Sequence, residues 1–443
     1  MINIHILIKS ILFIFISFKA FALSSSSYLI ANSAIVFYEY DIAKSFYDIR
    51  DINYLNFKDL EKKLLTYINA NSLKKASITA EKIIEQNLNN QEAWLVYLIS
   101  AKLNNDNMPF DKFYRTKKNL NEKIENAINH IFFDNKKLKN NNQIANSIFE
   151  IINQYTIQKS YKISNYDYLL FYLSLVSYLD SNFEEVFFYK AQVYQNLDNY
   201  LKAEENYKKI SKNHTLYLES RINIAQNKKN EKKFDEAEKD LVLLLESNKE
   251  NIDLIVSLSD LYRFSKQYEK AILNYTKILN EYNIENDLAW RILYVRGICY
   301  ERLENWKLAE KDFLDSLEIN PDSSQVLNYL AYGWIERNIF LDKSLKMLET
   351  AYENNPDSHY ILDSLAWAHF KKNNLNLASE LMEEVINRAP GEAISIDHLG
   401  DIYFAMGRDR EAKFMWKQAK DLATPEDNII EKVENKLKEI YEE

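Results

Sequence analysis

The chain has 443 residues but only 5 Gly and 5 Pro, about 2% of the sequence where an average protein holds roughly 12%. Doubly wound α/β enzymes and β-sandwiches need these residues at turn after turn, for positive φ and close approach to phosphates, so both classes are excluded. A composition of 47% hydrophobic and 27% charged residues leaves a large all-helical protein with ample core, and a net charge of −9 without a long basic run excludes nucleic acid as a partner.

Residues 1–22 read as an address. Lys9 precedes an apolar run from Ile11 to Phe18 broken only by Ser17, and Ala20-Phe21-Ala22 leads into a polar stretch. Small residues at −1 and −3 are what signal peptidase accepts, so cleavage is expected after Ala22, with export of the remainder. The alternative is an uncleaved anchor, the one membrane contact the sequence offers, although Lys19 leaves it short of the ~20 residues a span needs. Leu169 to Leu179 is apolar but only 11 residues long, and reads as a buried helix.

From 23 to 183 the pattern is that of divergent helical repeats. Ala43 with Tyr47 and Ala76 with Ala80 stand 33 residues apart, and Trp94 begins a third unit. Residues 104–160 are Asn/Lys-rich and poorly patterned, the place for a flexible insertion.

From 184 the spacing becomes regular. Ala203, Ala237, Ala271, Ala309, Ser344, Ala378 and Ala412 recur at intervals of 34, 34, 38, 35, 34 and 34. Each is followed four positions later by a large side chain: Tyr207, Leu241, Tyr275, Phe313, Leu348, Met382 and Trp416. A small residue where two antiparallel helices approach, with a large one a turn later on the same face, is what close packing requires. Upstream, small and aromatic residues alternate at i and i+3: Ala191/Tyr194, Ser259/Tyr262, Gly297/Tyr300, Ala331/Trp334 and Gly400/Tyr403, with His369 after Ala366. Pro321, Pro356, Pro390 and Pro425 fall 35, 34 and 35 residues apart, stopping second helices. Seven helix pairs are therefore expected over 184–425, starting near 184, 218, 252, 290, 324, 359 and 393. In the last segment, 426–443, Ile429, Ile430, Val433, Leu437 and Ile440 share one face, as a helix covering the array's apolar edge must.

This 34-residue helix-turn-helix pattern resembles the tetratricopeptide repeat. The stretches VLNYLAYGWIERNIFLDKSLKMLETA, YILDSLAWAHFKKN and IDHLGDIYFAMGRDREAKFMWKQA are also similar to one exported bacterial family of such proteins. The resemblance implies an all-α, right-handed superhelical solenoid of antiparallel helix pairs with a C-terminal capping helix, located in the periplasm. It implies no mechanism.

The motifs of chemistry are missing: no Gly-rich phosphate loop, no HExxH and no GxSxG. Cys299, between Gly297 and the turn, reads as a buried structural thiol. None of the six histidines pairs with another at i+3 or i+4, so neither a metal nor a cofactor is expected, and the chain does not read as an enzyme.

In repeats of this kind the first helices line a concave face, with the second, fifth, ninth and twelfth places directed into it. Those places hold Arg291, Tyr294, Ile298 and Glu301, then Gln325, Asn328, Tyr332 and Ile335, then Tyr360, Asp363, Trp367 and Phe370, then Ile394, Asp397, Asp401 and Phe404. Aromatics with polar residues between them suit an extended peptide or an amphipathic helix, unless Tyr332, Trp367 and Phe370 pack against neighbouring helices. Clamps of this family that hold acidic chaperone tails carry Lys and Asn where Asp363, Asp397 and Asp401 stand, so the resemblance implies a ligand that is neutral or basic. The expectation is a non-catalytic exported scaffold for a protein or peptide in the bacterial envelope, serving assembly or transport. The alternative is a periplasmic carbohydrate- or lipid-handling component.

Overall fold

A computed structural model describes residues 25–134, 137–157, 166–425 and 427–442; the expected export segment, 1–22, lies outside them. The fold is all-α. Among the described residues, what is regular beyond the α-helices is two short 3-10 turns and a two-residue antiparallel pairing of Phe133 with Leu138 and Asp134 with Lys137. The chain divides into two compact units, one running to Glu231 and the other from Lys232.

The first unit contains α1 (Ser25–Val36), α2 (Tyr40–Asp48), α3 (Phe57–Asn69), α4 (Leu73–Gln86), α5 (Gln91–Asn104), α6 (Met108–Thr116), α7 (Glu122–Phe132), α8 (Asn141–Ile157), α9 (Tyr166–Leu179), α10 (Glu184–Asn196), α11 (Tyr200–Tyr207) and α12 (Tyr217–Asn230). One continuous core runs from Ala31 to Val186. Within 104–160, where a flexible insertion was expected, α6, α7 and α8 supply buried Phe110, Phe113, Ile128, Ile131, Phe132, Ile144 and Ile148 to that core. The Asn and Lys residues that hid the pattern lie on the solvent faces, while the sparse apolar residues keep helical spacing. α9, the apolar run, is 14 residues long and packs into the same core, and among the described residues no helix is long and apolar enough to cross a membrane.

Lys190 on α10 donates to Ser177 Oγ at 3.3 Å. Burial, with Lys209 adding, pushes its ammonium down to about 8. The unfolded chain holds that proton up to about pH 10.4, so between these values the unfolded state binds more protons and stability rises with pH. Below about pH 8 the buried ammonium carries its full penalty. Lys190→Met is therefore expected to stabilise the protein by about 2 kcal/mol at pH 7, with the gain shrinking towards pH 10. Denaturant titrations of both chains at the two pH values check this; an identical difference at both would contradict it.

The second unit contains α13 (Phe234–Ser247), α14 (Ile252–Phe264), α15 (Tyr268–Glu281), α16 (Asn286–Arg302), α17 (Trp306–Ile319), α18 (Ser324–Glu336), α19 (Leu341–Asn354), α20 (His359–Lys371), α21 (Leu375–Arg388), α22 (Ala393–Ala405), α23 (Asp409–Leu422) and α24 (Ile430–Glu442). First helices alternate with second helices. The small residues of the second helices, Ala237, Ala271, Ala309, Ser344, Ala378 and Ala412, have no exposed surface. Where a first helix crosses closest, even a methyl group is too large: a Cβ on Gly297 would stand 2.7 Å from the Phe313 ring, and one on Gly400 would stand 2.4 Å from Trp416 Cδ1. α16 begins at Asn286, four residues ahead of position 290, because the extra residues behind the 38-residue interval lengthen this helix to 17 residues.

The turns explain how the chain manages with so little glycine. Left-handed φ angles recur at repeat spacing at Asp198, Lys232, Lys266, Glu304, Asn338, Asn373 and Gly407, with Phe340 a second one in the turn before α19. Tyr38, Asn71 and Asn105 share that conformation at intervals of 33 and 34, so the same device operates in the first unit. A residue with a Cβ costs roughly 1–2 kcal/mol there, tolerable where the helices on both sides fix the turn.

Successive pairs are tied by hydrogen bonds that reuse one position. The aromatic side chain near the end of a first helix donates to a glutamate on the preceding second helix: Tyr262 Oη to Glu238 at 3.0 Å, Trp334 Nε1 to Glu310 and Tyr403 Oη to Glu383 at 2.8 Å. A deeply placed ion pair adds to these bonds. Arg296 on α16 reaches both carboxylate oxygens of Asp312 on α17 at 2.7 Å and donates to Thr276 Oγ1 on α15 at 3.0 Å.

Candidate binding face of the second unit

The first helices α16, α18, α20 and α22 bring carboxylates towards one phenol. Burial raises the pKa of Tyr332 far above its ordinary value, and the charges of Glu336, Asp363, Asp397 and Glu301 raise it further. Four helices thus each contribute an acid to the surroundings of a single half-buried tyrosine. Grouped carboxylates repel one another unless cations or donors offset them.

The offsets are specific. Glu336 Oε1 accepts from Trp367 Nε1 at 2.7 Å, and Asp363 Oδ1 lies 3.2 Å from His398 Nδ1. Asp397 takes Lys436 Nζ at 2.5 Å and Lys432 Nζ at 3.4 Å. Asp401 takes the same Lys436 Nζ at 2.5 Å and accepts from Trp416 Nε1 at 3.0 Å. Both lysines belong to α24. Burial works against the charge on Lys432, but Asp397 and Asp401 outweigh it and hold its pKa above the usual lysine value, with Glu336 adding to the effect.

The expected site residues therefore divide. Arg291 is exposed and pairs with Asp287 at 3.0 Å, 5.4 Å from the Trp290 ring. Tyr294 packs edge-on to Tyr329 at 5.5 Å and against Phe313. Asn328 is half-buried, with its Oδ1 buried and unpartnered among the described residues. Tyr360 is 60% exposed. The expectation that Asp363, Trp367 and Asp397 stand open in a groove is corrected. Asp397 is 1% exposed, beneath the α24 lysines. Trp367 is 4% exposed, stacked between Phe370 at 4.7 Å and His398 at 4.0 Å, and Asp363 is held by that same histidine. Asp401, half-buried, accepts from the large residue of its own pair, as Asp260 does from Tyr275 at 2.6 Å. Ile298 and Ile335 are buried core residues, because their places meet the adjoining helix.

The structure brings Tyr332, Asp363, Trp367, Asp397 and Asp401 together, while Arg291 and Tyr294 engage other neighbours. Sequence reasoning left out Glu336 and the two lysines. Their signal is complementary spacing: acids at 397 and 401, bases at 432 and 436, each pair four apart and so on one helical face. Cys299 is fully buried, and burial pushes its thiol up to about 12, which fits a structural residue.

No family model and no curated protein matches this sequence. Among solved structures, a tetratricopeptide repeat protein from Parabacteroides merdae is 22% identical over 58% of this chain and 98% of its own, with a TM-score of 0.46. YrrB, described as a tetratricopeptide protein with an unusual peptide-binding site, is 20% identical over 44% of this chain and 98% of its own, with a TM-score of 0.33. Yeast Tom70 is 14% identical over 93% of this chain and 94% of its own, with a TM-score of 0.39.

Proposed function

We propose that the protein is a non-catalytic binding scaffold whose second unit receives a neutral or basic segment of a partner protein along its first-helix face, after export to the bacterial envelope directed by residues 1–22. The observation that carries this reading is the run of carboxylates on successive first helices, with Glu336 bonded to Trp367, Asp363 beside His398, and Asp397 and Asp401 under the lysines of α24. α24 supplies Lys432 and Lys436 against Asp397 and Asp401, while the ion partner of Glu301 is the adjacent Arg302 at 3.6 Å. Excess negative charge on a face with exposed Tyr360 and Phe404 favours a ligand that brings positive charge and apolar contact together.

A labelled amphipathic peptide rich in Lys and Leu is the probe. Glu301→Gln with Glu336→Gln keeps size and hydrogen-bond acceptors, including the one used by Trp367, and removes two charges. Binding is expected to weaken about tenfold, which corresponds to about 1.4 kcal/mol, with unchanged helix content. Equal affinity for both chains would refute the reading.

A further inference from the structure

The partner's chemistry is written in α24. This helix has 13 residues, a length marginal as an isolated helix in water, so its position depends on what it touches. Ile429 and Val433 are buried, with Leu437 packed beside them, among Leu362, Leu399, Ile402 and Trp416. The residue preceding each of the latter two apolar positions is a lysine. Lys432 and Lys436 reach over α22 to Asp397 and Asp401, and the Lys436 ammonium lies 5.5 Å from the Trp416 ring centroid. The outer side of α24 carries Glu434, whose pairing with Lys420 at 2.8 Å is solvent-exposed, worth little. α24 therefore meets the acidic face as a ligand would, with two basic residues one turn apart, each followed by an apolar one. It satisfies Asp397 and Asp401, and His398 holds Asp363, while exposed Glu336 and half-buried Glu301 remain open on the first helices.

We propose that α24 is an internal stand-in for the partner: the face recognises a helix bearing two basic residues four apart, each followed by an apolar residue, and such a helix displaces α24 from α22. The inference rests on the binding face proposed above and adds to it the ligand's pattern and the competition. A tethered competitor that fills the site most of the time lowers the apparent affinity of an external helix by the fraction of time the site is free.

The probe is a labelled synthetic peptide of residues 428–443, titrated against the full chain. Lys432→Gln with Lys436→Gln in the protein loosens α24, and the peptide is expected to bind that chain at least tenfold more tightly than wild type. Asp397→Asn with Asp401→Asn removes the acids that both helices use and is expected to weaken the peptide relative to the lysine double variant. Because freeing buried Asp397 of its cations can unsettle the last repeat, amide hydrogen exchange on the wild-type chain gives a second measure: saturating peptide should speed exchange across 430–442. Equal affinity for wild type and the lysine variant, or unaltered exchange of α24 at saturation, overturns the stand-in. If the Lys/Leu probe still responds to Glu301→Gln with Glu336→Gln, the binding face itself survives that failure; if it does not, both fail.

Discussion

Replacing Arg296 by Ala should destabilise the protein by about 3–5 kcal/mol, the usual cost of stranding one member of a buried ion pair. Asp312 is 3% exposed and takes two bonds from the guanidinium at 2.7 Å; without them it keeps a charge with no water to solvate it. The same substitution deprives Thr276 of its donor, loosening α15 against α16. Changing both members together, Arg296→Met with Asp312→Leu, removes the charge along with its partner and should recover most of the loss. Denaturant unfolding of the single and double variants measures the difference. A single variant as stable as wild type would mean that Asp312 is not buried as described.

Gly400→Val is expected to be the second costly change, at about 2–3 kcal/mol by overpacking. Its Cβ would fall 2.4 Å from Trp416 Cδ1 and 2.5 Å from Nε1. The indole is almost fully buried and donates to Asp401, which holds Lys436. Moving it disturbs the helix crossing and the docking of α24 together, so hydrogen exchange across 430–442 should accelerate in this variant. Gly391→Ala is the control, since a Cβ there meets nothing within 4 Å, and its effect should stay within about 0.5 kcal/mol. A Gly400→Val chain that unfolds with wild type would show that the crossing is looser than its geometry requires.

The helix pairs were legible because packing leaves a local mark: a small residue, and a large one a turn later, must recur wherever two helices touch. Ala309 with Phe313 and Ala412 with Trp416 carry that mark openly. The turns were less legible, because the left-handed conformation is held by Asp198, Lys232, Lys266, Glu304, Asn338 and Asn373 in place of glycine, and the flanking helices, which the turn residue does not reveal, impose it. Phe113, Ile128 and Ile148 escaped notice as core because Asn and Lys surround them in sequence while facing away in space.

The acidity of the face could be read from Asp363, Asp397 and Asp401, but their exposure could not. Whether Asp397 is open depends on a helix more than thirty residues downstream, whose docking is a tertiary event. The burial of Trp367 likewise depends on His398 in the next pair. The spacing shared by 397/401 and 432/436 was present throughout and gains meaning only when α22 and α24 lie together.

The central claim is that a basic helix is received on the first-helix face of the second unit. A photo-crosslinking residue placed at Tyr360 or at Glu301, compared with one at Leu273 or Phe414, exposed positions on the second helices α15 and α23, tests it most directly. With the peptide of residues 428–443 as the target, crosslinks are predicted from Tyr360 and Glu301 and not from Leu273 or Phe414. Crosslinks from the second-helix positions alone, or equally from all four, would contradict the claim.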